Sequence, residues 1–208
     1  MSIELANNPI DRELIQNAMS YPAYTALLDD LFEQGKTTGN NHSEAMLNYA
    51  KMNMQRMRRL HKTIQLSEEL ATALEDFGDN GKKTTWLVIT EGWCGDAAQN
   101  LPLLHEMAKE NENIDLKLIL RDENLEVMDA FLTNGGRSIP KLIILDSESL
   151  EVLASWGPRP QPAQDILMRF KEDEDWDHDA FSKTVQLWYA KDKTLSMQKE
   201  MVSILKEL

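Results

Sequence analysis

The sequence predicts an α/β fold, an α+β sandwich in which a central mixed sheet is preceded by a helical extension and followed by further helices. The first observation is a change of pattern. Apolar residues recur at helical spacing before residue 80 and after residue 172, whereas short, continuously apolar runs separate the helical stretches between them. The second is size, because 208 residues of which 42% are apolar suffice for one ordinary domain with additions. We therefore predict a helical extension at 1–79 that packs on a core domain at 80–172, with C-terminal helices at 173–208.

The extension is expected to contain several helices, because capping residues flank its apolar stripes. The start and stop signals are Asp11, Pro22, Gly35, Asn41 with Glu44, and Ser67. Asn41 and Glu44 resemble a capping box, in which each side chain bonds the other residue's backbone amide. The long helix that follows carries methionines and leucines, which we assign to packing between helices and core.

The core domain is expected to follow the order β-α-β-α-β-β-α. Its strands are predicted at 86–90, 116–120, 141–145 and 151–156, and its last helix begins near Pro162. Two more helices follow, with apolar positions that include Phe181 and Val185 in the first and Met201 and Ile204 in the second. Strands that alternate with helices in this way favour a sheet with helices on its faces.

An acidic balance of charge narrows the classes of partner. The chain has 22 Lys and Arg against 35 Asp and Glu, a formal charge of −13, which disfavours nucleic acid and anionic membrane surfaces as partners. Residues 1–10 have neither the basic segment nor the following apolar segment of a secretory signal. The single cysteine permits no intrachain disulfide. We expect a cytoplasmic protein. The four histidines have no ligand spacing, so no metal site is expected.

The one cysteine lies where a strand gives way to a helix. The segment Trp93-Cys94-Gly95 follows the first predicted strand and opens the next predicted helix. A helix N-terminus presents free amide groups and a positive dipole, which stabilise a thiolate, and the thiolate is the form that attacks disulfides. We therefore expect Cys94 to titrate below the ~8.5 of a free cysteine. The alternative is a small buried apolar residue, which is how most free cysteines behave.

The Trp-Cys-Gly turn, the order of elements, Ile139-Pro140 before the third strand and Gly157 after the hairpin together resemble the thioredoxin-like superfamily. The segment Trp-Cys-Gly-Asp-Ala resembles a bacterial branch of that superfamily that has a single active-site cysteine and a helical N-terminal extension. The resemblance implies a thioredoxin fold and a cis-proline at Pro140, with the Ile139 backbone open to an extended substrate.

Two departures from the thioredoxin pattern limit the chemistry. Ala97 stands where thioredoxins have the second cysteine, so no internal thiol resolves a mixed disulfide. Val88 stands where thioredoxins have a buried aspartate, which leaves no dedicated proton acceptor at that position. Asp96 is expected in the first turn of the helix, where its charge favours the dipole but opposes formation of a thiolate.

Three arginines are predicted to gather near the cysteine. Arg121, Arg137 and Arg159 follow strands or precede helices at the edge of the sheet where Cys94 is expected. They would form a positive pocket that lowers the pKa of Cys94 and holds an anionic thiol of the glutathione type as co-substrate. The alternative is that each pairs with a surface acid, such as Asp122.

The function that these residues favour is a monothiol oxidoreductase with no bound cofactor. Cys94 would form a mixed disulfide with a small thiol or a protein disulfide, and an external thiol would resolve it. The alternative, favoured by Ala97, is a redox-inactive thioredoxin-fold binding or interaction module. A third option is transfer of a thiol cofactor onto an electrophile. The sequence leaves the oligomeric state open.

Overall fold

A computed structural model describes residues 8–79 and 81–208 of the chain. The predicted domain boundary at residue 80 and most of the segment used to assess a secretory signal lie outside the described residues. The described elements follow the predicted order β-α-β-α-β-β-α, with helices before and after it.

The sheet has four strands, and the candidate site follows the first of them along the chain, which is one of the two central strands. The strands are β1 (Thr84–Thr90), β2 (Ile114–Leu120), β3 (Lys141–Asp146) and β4 (Val152–Trp156), in the spatial order β2-β1-β3-β4. β1 runs parallel to β2 and antiparallel to β3, and β3 runs antiparallel to β4, so the sheet is mixed as predicted. All seven residues of β1 are buried, as expected for a central strand covered on both faces.

Helices cover both faces of the sheet. They are α1 (Arg12–Asn17), α2 (Tyr21–Glu33), α3 (Glu44–Thr63), α4 (Glu68–Asp79), α5 (Gly95–Glu110), α6 (Leu125–Ala130), α7 (Gln161–Phe170), α8 (His178–Asp192) and α9 (Leu195–Glu207). A short 3₁₀ turn at Arg121–Glu123 links β2 to α6. In the described part of the chain, no helix is both long and apolar enough to cross a membrane.

Most helix boundaries follow from the capping residues. The Asp11 carboxylate accepts a hydrogen bond from the Leu14 amide at 2.8 Å and begins α1, and Gly35, with a φ of 69°, follows the end of α2. The predicted capping box is wrong. α3 begins at Glu44 without a side-chain cap, because Asn41 bonds only two residues ahead, to the Ser43 amide at 3.0 Å.

The extension holds the turn that carries the cysteine. Residues of α2, α3, α4 and α9 belong to the same buried apolar cluster as the sheet. At the turn itself, the Thr38 hydroxyl accepts from the Gly92 amide at 2.8 Å, and the Asn53 amide donates to the Gly92 carbonyl at 3.0 Å. α7 and α8 pack on each other around a second apolar cluster. The helices α2, α3 and α4 thus pack on the sheet, and α3 contributes to the candidate site.

Candidate functional site

Cys94 lies at the N-terminus of α5, beside the loop before β3. Its sulfur accepts a hydrogen bond from the Ala97 amide at 3.4 Å and donates one to the Ile139 carbonyl oxygen at 3.2 Å. The Ile139–Pro140 peptide bond is cis. Cys94 is 8% exposed and Ile139 is 5% exposed. The sequence thus predicted the neighbours of the sulfur, but the Ile139 carbonyl already accepts the thiol, and pairing with an extended substrate stays a prediction.

The thiol is not poised as a thiolate in this conformation. Burial, followed by the negative charge of Asp96, raises the pKa of Cys94 to about 12, although the amides of Ala97 and Asp96 and the charge of Arg159 oppose this shift. The expectation of a depressed pKa is therefore wrong. The helix N-terminus supplies the predicted amides, but their effect is smaller than the cost of removing a charged sulfur from water.

Asp96 joins the cysteine turn to the C-terminal helices. Its carboxylate accepts two hydrogen bonds from Arg159, at 2.6 and 3.0 Å, and a third from the Tyr189 hydroxyl at 2.8 Å. The Asn100 side-chain amide donates to the same hydroxyl at 3.2 Å. The acid predicted as a helix-start residue thus forms a buried ion pair that fixes α8 over the start of α5.

The other two predicted arginines also have carboxylate partners. Arg121 contacts Asp122 at 2.8 Å, and its guanidinium lies 4.8 Å from the centroid of the Trp93 ring. Arg137 binds Asp129 through two hydrogen bonds of 2.6 and 2.7 Å. All three predicted arginines do converge on one site, and each is neutralised by an acid. The predicted convergence of the arginines and the alternative, pairing with acids, are therefore both seen, and the binding of an anionic thiol stays a prediction.

A cavity of about 410 Å³ opens beside the cysteine. Its walls include the sequence-predicted residues Trp93, Cys94, Gly95, Asp96, Arg121, Arg137, Ile139 and Arg159. The other wall comes from α3 and α8, through side chains that include Tyr49, Arg56 and Gln186. The sequence did not assign these three residues to the site. α3 and α8 offered only a packing periodicity, which carries no signal for a polar side chain that faces a distant loop.

Arg56 approaches the cysteine turn closely. Its Nη1 donates to the Asn53 side-chain oxygen at 2.7 Å, and a β-carbon placed on Gly95 would lie 3.7 Å from that Nη1 and 3.0 Å from Gln186 Nε2. The absence of a side chain at Gly95 therefore admits both polar groups to the N-terminus of α5. Partial burial, followed by the neighbouring charge of Arg59, lowers the pKa of Arg56, but a guanidinium stays charged at physiological pH.

Glu91 is a second acid next to the cysteine turn. It is buried at the end of β1, where one carboxylate oxygen accepts from the Asp122 amide at 2.9 Å. The other oxygen, also buried, has no hydrogen-bond partner among the described residues. Burial raises the pKa of this carboxyl, and the nearby Thr38 hydroxyl and the Asp122 amide oppose that rise. The valine at position 88 of β1 is fully buried and supplies no acid below the cysteine turn.

Comparisons with known proteins place this site in a family context. A sequence model of the family described as Thioredoxin matches residues 39–176, which include α3 and α4 as well as the predicted core domain. A protein of unknown function from Pseudomonas aeruginosa is 18% identical, with a TM-score of 0.59 over 93% of this chain and 95% of its own. An HIV epitope scaffold is 19% identical, with a TM-score of 0.58 over 94% and 97%. No curated protein matches the chain. At these identities the two structures show a shared fold alone. In the described residues, no group of three or more potential ligands is arranged to hold a metal ion.

Proposed function

Because the chain belongs to the thioredoxin family, we propose that it is a monothiol thiol–disulfide oxidoreductase in which Cys94 forms a mixed disulfide that an external thiol resolves. The observation that carries this proposal is the position of the sulfur. It lies at the N-terminus of α5, 3.4 Å from the Ala97 amide, on the wall of a cavity that four arginines line. Amides and guanidinium groups stabilise the negative charge that passes over sulfur during exchange.

The exchange balances without a second cysteine. The Cys94 sulfur attacks one sulfur of a disulfide RSSR, the bond to the protein forms, and RS⁻ leaves with the proton that the thiol gives up. An external thiol R′SH then attacks the sulfur of the bound R group. This step forms RSSR′ and returns Cys94 to its thiol form. Since Ala97 cannot supply a resolving thiol, the second step needs R′SH, and a reducing cytoplasm, where we place the protein, supplies it.

Burial of the thiol sets the pH dependence of this reaction. With a pKa of about 12, roughly one Cys94 in 10⁵ is ionised at pH 7. We therefore expect the rate of attack by the free protein to rise about tenfold for each pH unit between about pH 7 and pH 10, without a plateau.

The same burial favours a second candidate function, a redox-inactive binding module. A thiol that is 8% exposed and donates its proton to the Ile139 carbonyl behaves as a packed side chain. In that case α3 and α8 close over a cysteine that takes no part in chemistry, and the cavity binds a ligand without reacting with it.

Intact-mass analysis after incubation with glutathione disulfide separates the two candidates. The oxidoreductase forms one adduct on the native protein at Cys94, and a Cys94→Ser variant forms none. The binding module forms no adduct when native but gains one in urea, because unfolding exposes the same thiol. The urea sample also shows that the reagent and the cysteine are competent.

A further inference from the structure

We propose that Arg56 is the anion-binding residue of the Cys94 cavity and that it selects small anionic disulfides and thiols as substrates. This inference rests on the proposed function for its chemistry. The observations behind it, which are the size and lining of the cavity and the pairing of its charged groups, do not depend on whether Cys94 reacts.

The shape of the cavity points to a small molecule. α3 and α8 cover the side of Cys94 that faces away from the sheet, and α8 is tied to α5 through Gln186, which accepts from Gln99 at 2.7 Å, and through Tyr189. The volume of about 410 Å³ lies within the ~300–1,000 Å³ of small-molecule sites. A protein disulfide needs a broad contact surface of ~800 Å² on each partner, which these helices deny to the sulfur.

The charges of the cavity wall point to an anion. Asp96, Asp122 and Asp129 neutralise Arg159, Arg121 and Arg137 within 3 Å. Arg56 forms no ion pair with a carboxylate among the described residues. Its hydrogen bond is to the neutral Asn53 amide, which leaves most of its donors available. Besides Asp96, which already holds Arg159 and Tyr189, the ionisable groups facing the cavity are these arginines, Tyr49, the Cys94 thiol and His178. An entering carboxylate therefore meets a wall with one uncompensated positive charge.

The position of Arg56 links anion binding to chemistry. Its Nη1 lies next to Gly95, the residue that follows Cys94. A small disulfide whose carboxylate binds there therefore has its sulfur atoms at the cysteine end of the cavity. Guanidinium groups bind carboxylates through paired, directional hydrogen bonds, which orient the ligand as well as attract it. Arg56 comes from α3, outside the segment that carries the cysteine motif, and gives the extension a part in substrate selection.

Three disulfides of nearly equal size test the selection. Dithiodiglycolate is anionic, bis(2-hydroxyethyl) disulfide is neutral and cystamine is cationic, and mixed-disulfide formation with each is followed by intact mass. For Arg56→Gln we expect about a tenfold loss of rate with dithiodiglycolate, a change below twofold with the neutral disulfide, and no loss with cystamine. Arg59→Gln is the matched control, because Arg59 is exposed on the same helix and outside the cavity wall, and we expect it to leave the order of the three rates unchanged. Equal slowing of all three disulfides by Arg56→Gln, or slowing of none, would overturn the proposal.

Binding measured without reaction keeps this test separate from the proposed function. In Cys94→Ser, calorimetric titration with dithiodiglycolate is expected to show saturable binding that Arg56→Gln removes and Arg56→Lys partly restores. If wild type forms no mixed disulfide but this binding depends on Arg56, the oxidoreductase proposal fails and the anion site stands. If binding is the same with Gln or Lys at position 56, the anion site fails whatever Cys94 does. Arg56→Lys keeps the charge, so it also serves if the Gln variant folds poorly.

Discussion

The buried contact between Asp96 and Arg159 offers a quantitative test of how the C-terminal helices are held over the cysteine. Replacing Asp96 with Asn removes the negative charge and nearly preserves the shape. It leaves the Arg159 guanidinium buried opposite a neutral amide, which can turn an NH₂ group toward it in place of an accepting oxygen. The cost depends on how far both groups are shielded from water.

The magnitude follows from the geometry. The two side chains are 12% and 11% exposed and share hydrogen bonds of 2.6 and 3.0 Å. Removing one partner of such a buried pair costs about 3–5 kcal/mol, because the other charge stays buried without compensation. Tyr189→Phe keeps the ion pair but removes the 2.8 Å hydrogen bond to the carboxylate and the acceptor of the 3.2 Å hydrogen bond from Asn100, and its expected cost is about 1.5–3 kcal/mol.

An exposed pair of the same chemistry is the control. Arg137 and Asp129 form equally short hydrogen bonds, but both side chains are 47% exposed, so Asp129→Asn is expected to destabilise the protein far less than Asp96→Asn. Urea unfolding followed by tryptophan fluorescence measures all three variants against wild type. If Asp96→Asn and Asp129→Asn lose the same free energy of unfolding, burial does not control the Asp96 contact, and our account of how α8 is fixed is refuted.

Two further substitutions test the backbone and the buried acid near the site. Gly157 has a φ of +115°, and a β-carbon there would lie 2.3 Å from the Pro140 carbonyl oxygen, so Gly157→Ala is expected to cost about 3 kcal/mol or more. Gly135→Ala, with a φ of +76° but no heavy atom within 4 Å, should cost only about 1 kcal/mol in the same urea titration, and a similar loss at both glycines would rule out the clash. Because burial raises the pKa of Glu91, the native state retains this proton to higher pH than the unfolded state does, and wild type loses stability as the pH rises through the raised pKa. Glu91→Gln lacks this titration, so its stability relative to wild type should increase as the pH rises above the ordinary titration range of a glutamate carboxyl, and a constant difference would show that burial does not raise the pKa of Glu91.

The sequence predicted the elements that depend on local patterns. The order of strands along the chain followed from apolar runs such as 86–90. The place of Cys94 at a helix N-terminus followed from the strand before it and the helix after it. The loop positions of Arg121, Arg137 and Arg159 also followed from the order of elements, and the structure does bring all three to one cavity.

What could not be predicted depends on contacts between distant segments. Burial, followed by the charge of Asp96, raises the pKa of Cys94. The helices α3 and α8 line the cavity beside it, and neither shows in its sequence which loop it faces. The partner of each arginine, such as Asp129 for Arg137, is fixed only when separate elements pack. Arg56 was missed for the same reason, because it is one of several basic residues in α3, and the sequence does not show which of them faces the cysteine turn.

If the protein is an oxidoreductase, Cys94 must react from within its cavity while the fold stays intact. The most direct measurement is a time course of intact mass on native protein, first with glutathione disulfide and then with added reduced glutathione, each sample quenched in acid. We predict that one adduct accumulates on Cys94 at a rate that rises with pH, and that the thiol then removes it. A native protein that stays unmodified while its urea-unfolded form is fully modified would contradict the oxidoreductase proposal.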